Sequence, residues 1–359
     1  MKAAVCRAFK RPLAVEHVDL AAPRAGEVRV RIAACAICHS DLLAMAGAWG
    51  GDLPAVYGHE AVGVVEEVGA GIARVGPGDH VVVTLLRSCG HCHFCMTGEA
   101  QLCETKLPLD LRSPLSASDG STIRQGLRTG AFAEQVVVDA SQVAVIPREV
   151  PLDRASLLAC GVITGLGAVL NTAAVRPGSH VATIGTGGVG LNCVQGVALS
   201  SAKVNIAIDV SDHKLAAART FGASHTINPR KQDTRDAVRS LTAGRGADYV
   251  FVAVGSAAVI EQGVTLLRRG GTLVVVGMPA EGVKVRLEAV DIADRAYRIL
   301  GSKMGSARLR VDVPLLADWY LQGRLKLDEL ISGRYALEQI NEAIESARTG
   351  AALRNVITF

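Results

Sequence analysis

Four cysteines at close, regular spacing are the residues of this chain best suited to hold a metal ion. Cys89, Cys92, Cys95 and Cys103 stand at a C-x2-C-x2-C-x7-C spacing within SCGHCHFCMTGEAQLC. Four thiolates complete the tetrahedral coordination of zinc and leave no open position, so the pattern predicts a structural zinc site. A 4Fe-4S cluster is the alternative, because ferredoxin motifs also open with C-x2-C-x2-C, but their fourth cysteine is spaced differently and precedes proline.

A glycine-rich turn between a strand pattern and a helix pattern predicts a dinucleotide site. The turn follows the apolar stretch 180–184 and precedes the helical pattern 191–199. Glycines permit the tight turn and the close approach of a pyrophosphate, and the helix amino terminus offers free amide groups to phosphate oxygens. The G-x-G-x-x-G motif consists of Gly185, Thr186, Gly187, Gly188, Val189 and Gly190.

An acidic residue in register with this turn indicates the preferred cofactor. Asp209 ends the next strand pattern, 19 residues after Gly190. Its carboxylate is placed to accept hydrogen bonds from a ribose and to repel a 2′-phosphate, which favours NAD over NADP. Ser211 and His213 follow closely and could contact a phosphate, so some use of NADP stays open. An ordinary glycine turn in an α/β domain is the competing interpretation.

The elements that must position these residues divide the chain in two. Residues 1–160 read as short strands separated by glycine and proline, which is typical of a β-rich domain. From about residue 161 to 301, apolar strand patterns alternate with helix-length patterns, which predicts βαβ units and a parallel sheet. Two further helical patterns follow between residues 302 and 359.

Composition bounds the class of protein. The chain has 359 residues, 49% of them hydrophobic and 20% charged, which favours a globular protein of two domains. Its longest apolar stretch is too short to cross a bilayer, and the amino terminus lacks the apolar segment of a secretory signal. The net charge of +4 is spread over the chain, which argues against nucleic acid as a partner.

The nine cysteines indicate a reducing compartment. Four of them have metal spacing and no secretory signal is evident, so we expect reduced thiolates and a cytoplasmic location. Cys6, Cys35 and Cys193 have no chemical partner in these patterns and are expected to be small buried hydrophobic residues.

Two short fragments, CHSD at 38–41 and GHE at 58–60, connect these features to a known family. With them, the chain resembles the zinc-dependent medium-chain alcohol dehydrogenases along essentially its whole length. The four-cysteine loop and its place after GDHVVV are the most specific part. The other matching segments are MKAAVCRAF, GHEAVGVVEEVG, CGVITGLGAVLNTA, IGTGGVG and LRNVITF.

The resemblance implies a second, catalytic zinc. Its ligands would be Cys38, His59 and Cys160, which leave the fourth position for water or substrate. Asp41 matches the carboxylate that orients the histidine ligand, and Glu60 matches the acid behind the metal.

Proton and hydride transfer are implied by the same resemblance. Ser40 matches the hydroxyl that takes the proton of the alcohol before hydride passes to the nicotinamide. His39 matches a contact to the cofactor pyrophosphate, and Thr164 and Val189 match residues near the nicotinamide. Further cofactor contacts are implied for Lys214 and Arg354.

Two positions depart from the family pattern. Leu43 stands where animal alcohol dehydrogenases have the histidine that ends the proton relay, and leucine cannot carry a proton. The proton would then leave through water, His39 or the ribose. Lys303 stands where relatives usually have an apolar residue, and the sequence offers no account of it.

The implied fold is α/β, with a doubly wound parallel Rossmann sheet and a β-rich catalytic domain of the chaperonin-10 (GroES-like) type. Residues 1–160 and 302–359 would form the catalytic domain and residues 161–301 the NAD-binding Rossmann domain, with the active site in the cleft between them. The resemblance also implies a homodimer or a homotetramer, of which we expect the homodimer.

The substrate is expected to be a primary or secondary alcohol or an aldehyde. Trp49 and Leu85 match pocket walls and suggest an apolar channel. Glutathione-dependent formaldehyde oxidation is an alternative, for which Arg112, Arg124 and Arg128 are candidate anion anchors. Two further alternatives are alcohol-aldehyde exchange with tightly held NAD and a non-enzymatic, zinc-stabilised dinucleotide sensor or scaffold.

Overall fold

The computed structural model describes residues 1–350 and 352–359, which form two compact units. The strands β1 to β19 are Lys2–Cys6, Ala14–His17, Asp19–Leu20, Glu27–Ala36, Ala55–Val56, Glu60–Val68, His80–Val83, Leu115–Ser116, Thr122–Gln125, Gln135–Asp139, Val143–Val145, His180–Ile184, Val204–Ile208, His225–Ile227, Ala247–Val252, Leu267–Val275, Arg298–Gly301, Ile331–Ala336 and Arg354–Thr358. The helices α1 to α12 are His39–Met45, His93–Met96, Pro108–Leu111, Leu152–Ala155, Gly161–Gly167, Gly188–Leu199, Asp212–Thr220, Thr234–Leu241, Ala257–Thr265, Ala289–Asp294, Leu309–Leu321 and Ile340–Arg348.

The first unit, residues 1–161 and 308–359, is β-rich as predicted. Its larger sheet has the order β11-β7-β6-β4-β19-β18, and β10 also pairs with β4. A second sheet has the order β2-β1-β5-β9-β8-β3. Buried valines, isoleucines and alanines from both sheets form one core, because β-branched side chains pack well on pleated surfaces. The last strand, β19, returns to pair with β4 and brings the carboxyl-terminal segment into this core.

The second unit, residues 162–307, contains one parallel sheet. Its strand order, β14-β13-β12-β15-β16-β17, is the Rossmann order with the first strand in the centre, as predicted. Every residue of β13 is buried, as expected for a strand whose two faces are both covered. Two apolar clusters pack against the sheet, one around Ile206 and Val250 and the other around Val197 and Phe251.

The unit boundaries lie at 161/162 and 307/308, whereas the sequence-based division placed them at 160/161 and 301/302. The later second boundary has a local cause. The Thr172 hydroxyl lies 2.9 Å from the Ser302 Oγ and 2.8 Å from the Ser306 Oγ. The Asn171 amide also donates to the carbonyl of Gly305, so residues 302–307 stay bonded to the second unit.

The helices of the protein are short or interrupted. Among the described residues, no single helix is long and apolar enough to span a membrane. One bent pair of short helices, Leu152–Ala159 with Gly161–Thr172, meets that requirement only when its members are taken together, and most of its residues are buried in the protein.

Candidate active site and zinc sites

The predicted ligands of the catalytic zinc converge in the core of the first unit. Cys38 precedes α1, His59 immediately precedes β6, and Cys160 precedes α5. Their ligand atoms lie within 4.8 Å of one another and of a carboxylate oxygen of Glu60. All four residues are buried. The structure therefore brings together residues that are up to 122 positions apart in the sequence.

Asp41 fixes the orientation of the histidine ligand. Its Oδ1 lies 2.9 Å from the His59 Nδ1 and accepts a hydrogen bond of 3.0 Å from the Gly58 amide. Its Oδ2 accepts a hydrogen bond of 3.1 Å from the Cys38 amide. With Nδ1 bonded to this carboxylate, the other ring nitrogen is the one presented to a metal.

The surroundings of that second nitrogen, Nε2, indicate whether these residues fit a zinc ion. The His59 Nε2 is fully buried and has no hydrogen-bond partner among the described residues. A buried polar atom without a partner is costly, and a metal ion would satisfy it. Two sulfurs and one imidazole nitrogen form a donor set that suits a catalytic zinc, so these residues fit the metal.

Burial and neighbouring groups shift the pKa values of two side chains at this site, Cys38 and Glu60. A hydrogen bond from Cys160 lowers the pKa of Cys38 well below its usual range despite burial, and the charge of His59 adds to the effect. Burial raises the pKa of Glu60 to about 8, although Arg354 opposes that shift. The Arg354 Nη2 lies 3.3 Å from the Glu60 Oε1. A thiolate is the form of cysteine that binds metal.

Arg354 is buried next to Glu60 of this cluster. Its side chain is 7% exposed, and it donates a hydrogen bond of 3.3 Å to the Ile37 carbonyl as well as pairing with Glu60. The sequence resemblance implied a cofactor contact at this position but gave no sign of the pairing with Glu60. No local spacing could have revealed it, because the two residues meet only when β19 and β6 both pair with β4.

The four-cysteine loop has the geometry of a tetrahedral thiolate site. The ligand sulfurs all lie within 4.8 Å of one another. Cys89 Sγ lies 4.0 Å from Cys95 Sγ, and Cys92 Sγ lies 3.9 Å from Cys103 Sγ. Four sulfurs at about 2.3 Å from one zinc ion would be about 3.8 Å apart, so the loop matches this metal.

Hydrogen bonds to Cys89 favour its thiolate form. The Thr105 hydroxyl donates to its Sγ at 3.2 Å, and the amides of His91 and Cys92 donate at 3.4 Å and 3.2 Å. These bonds, that of Thr105 first, lower the pKa of Cys89 to about 5. Thr105 was not among the predicted site residues. A hydroxyl two positions after the last ligand, Cys103, is the signal that could have suggested it.

The glycine turn of the second unit is built as predicted. It joins β12 to α6, and the main chain of Gly190 comes so close to the Gly185 carbonyl that a Cβ there would lie 1.7 Å from its oxygen. Only glycine fits at this contact. Thr186 belongs to the predicted motif, but no role was predicted for it. It donates from its amide and its hydroxyl to the Asp209 Oδ2 at 2.8 Å and 3.1 Å.

The remaining predicted site residues are divided between the two units. In the first unit, His39 and Ser40 lie in the first turn of α1, where His39 is exposed and Ser40 is partly buried. In the second, the Thr164 hydroxyl donates to the Met304 Sδ at 3.6 Å, and Val189 is partly buried at the start of α6. Lys214 is partly buried in α7.

Comparisons with known proteins agree with this arrangement. Residues 24–148 match the model of the alcohol dehydrogenase GroES-like domain, and residues 188–321 match that of the zinc-binding dehydrogenases. Two similar proteins are the class-3 alcohol dehydrogenase of Zea mays, at 37% identity, and the S-(hydroxymethyl)glutathione dehydrogenase of Paracoccus denitrificans, at 34%. Each alignment covers 100% of this chain, with 96% of the maize protein and 99% of the bacterial one.

Solved structures are similar over the same extent. A zinc-binding alcohol dehydrogenase protein from Burkholderia ambifaria has a TM-score of 0.96 at 35% identity, covering 100% of this chain and 98% of that one. The benzyl alcohol dehydrogenase of Acinetobacter calcoaceticus has a TM-score of 0.93 at 30% identity, covering 100% and 99%. These matches confirm the predicted α/β fold with its GroES-like and Rossmann domains. The chain belongs to the zinc-dependent medium-chain alcohol dehydrogenase family.

Proposed function

We propose that this chain is an enzyme that transfers hydride between a primary or secondary alcohol and NAD, with a catalytic zinc held by Cys38, His59 and Cys160. The buried, unpartnered Nε2 of His59 beside two cysteine sulfurs carries this proposal. Zinc, when bound, supplies a Lewis acid at the substrate oxygen. A second zinc, held by the four-cysteine loop, would have a purely structural role, because four thiolates leave no position for substrate.

The chain's own residues have distinct tasks in this scheme. Asp41 holds the His59 ring in one tautomer through its Oδ1 contact of 2.9 Å. Ser40, two residues after the ligand Cys38, is the proposed acceptor of the alcohol proton. Leu43 cannot continue a relay, so the proton would leave through His39, which is exposed, or through the ribose or water.

NAD is the proposed cofactor because of the carboxylate at the end of β13. Asp209 is partly buried, and its oxygens already accept hydrogen bonds from Thr186 and from the Ser211 amide. Its negative charge next to a ribose would repel the 2′-phosphate of NADP. A similar structure from Sinorhizobium meliloti, of TM-score 0.85 and 27% identity, is described as bound to NADP.

Oxidation of the glutathione adduct of formaldehyde is the second candidate. Two similar proteins bear the names class-3 alcohol dehydrogenase and S-(hydroxymethyl)glutathione dehydrogenase. The three arginines considered as anion anchors are, however, each paired with a carboxylate of this chain: Arg112 with Glu27, Arg124 with Asp52 and Arg128 with Asp110. An anionic substrate would have to compete with these partners, which favours the simple alcohol.

A homodimer is the proposed assembly. β17 is the edge strand of the Rossmann sheet, and an unpaired edge is a template for a strand of another molecule. Ile299 on this strand is 39% exposed, and two more apolar side chains are exposed in neighbouring elements of the chain, Val290 in α10 by 68% and Met278 after β16 by 61%. Light scattering after gel filtration would distinguish this assembly from a monomer or a tetramer.

Metal-binding thiolates need a reducing environment, which supports a cytoplasmic location.

The proposed reaction is tested by measuring NADH formation by the zinc-loaded protein with NAD and a panel of alcohols. The panel includes primary, secondary and aromatic alcohols, and formaldehyde with and without glutathione. Turnover of simple alcohols supports the proposal. Turnover of formaldehyde only when glutathione is present would establish the second candidate. Absence of NADH release from protein with two zinc ions and bound NAD would point instead to alcohol-aldehyde exchange with held cofactor.

A further inference from the structure

A groove in the second unit is lined mainly by arginine. It has a volume of about 720 Å³ and lies where β12, β15 and β16 begin. Asp248 is its single acidic lining residue. The lining has five guanidinium groups and one carboxylate, which gives the groove a formal charge of +4. This equals the formal net charge of the whole chain. The lining arginines are Arg239, Arg245, Arg268, Arg269 and Arg295.

Among the residues that the structure describes, two of these arginines have an acidic partner. Arg268 pairs with Asp248, and Arg295 pairs with Asp291 at 2.9 Å. Within the part of the chain that the structure describes, the side chains of the other three have no ion pair or hydrogen bond, and all three are exposed. Unpaired guanidinium groups that share one concave surface repel one another, and an anion between them would remove that repulsion.

Helix ends account for only part of this charge. Arg239 lies in the last turn of α8 and Arg295 directly follows α10, where a cation offsets the helix dipole. Arg245 lies beyond the end of α8, and Arg269 lies in β16. Neither of these two residues has a helix end to neutralise, so their presence in the groove calls for another explanation.

The groove is separate from the glycine turn that we assign to the cofactor. The turn follows the carboxyl end of β12, whereas the groove lies at its amino end, beside His180. At about 3.3 Å per residue, β12 separates the two places by about 13 Å. The pyrophosphate of a dinucleotide on the glycine turn therefore does not neutralise the arginines of the groove.

We propose that this groove binds a small molecule that carries two or more linked phosphate groups. The guanidinium fork matches phosphate oxygens in a bidentate manner, and all five cationic lining residues are arginine. The volume of about 720 Å³ lies within the range of small-molecule sites, about 300–1,000 Å³. The described lining residues include no phenylalanine, tyrosine or tryptophan on which bases could stack, which favours a small polyphosphate over a nucleic acid.

Isothermal titration of the zinc-loaded, full-length protein with inorganic pyrophosphate tests the proposal. The protein is saturated with NADH so that the cofactor site is occupied, and the salt concentration is low. We expect one pyrophosphate per chain, an affinity that falls as salt is added, and at least tenfold weaker binding to the double variant Arg245→Ala/Arg269→Ala. The control Arg11→Ala removes an exposed cation from the first unit and should change the affinity less than twofold.

The proposal would be overturned if pyrophosphate did not bind. It would also be overturned if the double variant bound pyrophosphate as tightly as wild type. A KM for NAD raised in the double variant would show that the arginines serve the cofactor. Tighter binding of a single-stranded oligonucleotide through the same arginines would assign the groove to nucleic acid. ATP is titrated as a second ligand: competition with pyrophosphate supports one site for linked phosphates, and binding of ATP without competition contradicts it.

Discussion

At the scale of single residues, Asp41 connects two of the proposed zinc ligands, Cys38 and His59. One carboxylate oxygen bonds the Cys38 amide and the other contacts both the Gly58 amide and the His59 ring. Asp41 and His59 are completely buried, so this contact is little screened by solvent. The position of the two ligands, and the nitrogen that His59 presents, therefore depend on one side chain.

Replacing this carboxylate tests its role. Asp41→Asn keeps the size of the side chain but weakens its hold on the His59 ring, so we expect the affinity of the catalytic zinc to fall about 10- to 100-fold. Chelator competition on the purified protein measures this loss. Asp52→Asn is the control, because Asp52 is exposed and its ion pair is with Arg124, outside the cluster. Equal zinc affinity in Asp41→Asn and wild type would contradict the assignment.

The charge of Asp209 is expected to determine the choice of cofactor. Asp209→Asn retains an oxygen that can accept the Thr186 bonds while it removes the negative charge. The ratio of kcat/KM for NADP to that for NAD should rise about tenfold, because one unit charge near a 2′-phosphate contributes on the order of 1 kcal/mol. Steady-state kinetics with both cofactors provides the ratio. An unchanged ratio would remove Asp209 from the ribose site.

At the scale of elements, the turn before β6 has a backbone conformation that favours glycine, and it is followed directly by a predicted zinc ligand. Gly58 has a φ of +91°, and a Cβ there would lie 2.7 Å from the backbone nitrogen of Phe132. The next residue is His59, so the same turn that packs against Phe132 directs the imidazole into the cluster. A side chain at position 58 would have to move backbone, not only a flexible side chain.

Alanine at this turn should therefore be costly. We expect Gly58→Ala to destabilise the first unit by about 3 kcal/mol or more, from the unfavourable φ and the overlap with Phe132 together. Gly71→Ala is a matched control, because Gly71 also has a positive φ, +83°, but open space around its Cβ position. Its cost should be only about 1 kcal/mol. Thermal unfolding of both variants measures the difference; equal midpoints would show that the packing against Phe132 is unimportant.

Local patterns and long-range contacts differed in how well the sequence revealed them. The four cysteines and the glycine turn each lie within a short segment, 89–103 and 185–190. Their spacing is visible in the sequence, so both were predicted directly. Cys160 lies 101 residues after His59 and has no spacing signal, so only the family resemblance identified it. The contact of Arg354 with Glu60 joins residues 294 positions apart, and it depends on a strand order that the sequence did not specify.

At the scale of the whole molecule, the first unit contains two clusters of residues that we propose as metal ligands, and their chemistry differs. One consists of Cys38, His59, Cys160 and Glu60, all buried, and the other consists of four partly buried cysteines. They share no residue, so each should lose or keep its metal separately. The second unit contains no such cluster among its described residues.

Selective loss of the structural zinc should follow from this separation. Cys103→Ser should reduce the zinc content from two ions per chain to one and make residues 89–103 sensitive to protease, because the loop loses its crosslink. Cys193→Ala is the control; this cysteine is buried in the second unit and its loss should leave both ions in place. Loss of both ions in Cys103→Ser would show that the two sites are coupled.

The most direct test of the central claim is zinc content measured together with alcohol-dependent NADH formation, in the same samples of wild type and Cys38→Ser. If Cys38, His59 and Cys160 hold an open catalytic zinc, wild type will contain two zinc ions per chain. Cys38→Ser will then contain one ion, bind NADH as wild type does, and lose at least 1,000-fold in turnover, about 4 kcal/mol of transition-state stabilisation. Wild-type turnover in Cys38→Ser, or two ions retained in it, would contradict the assignment.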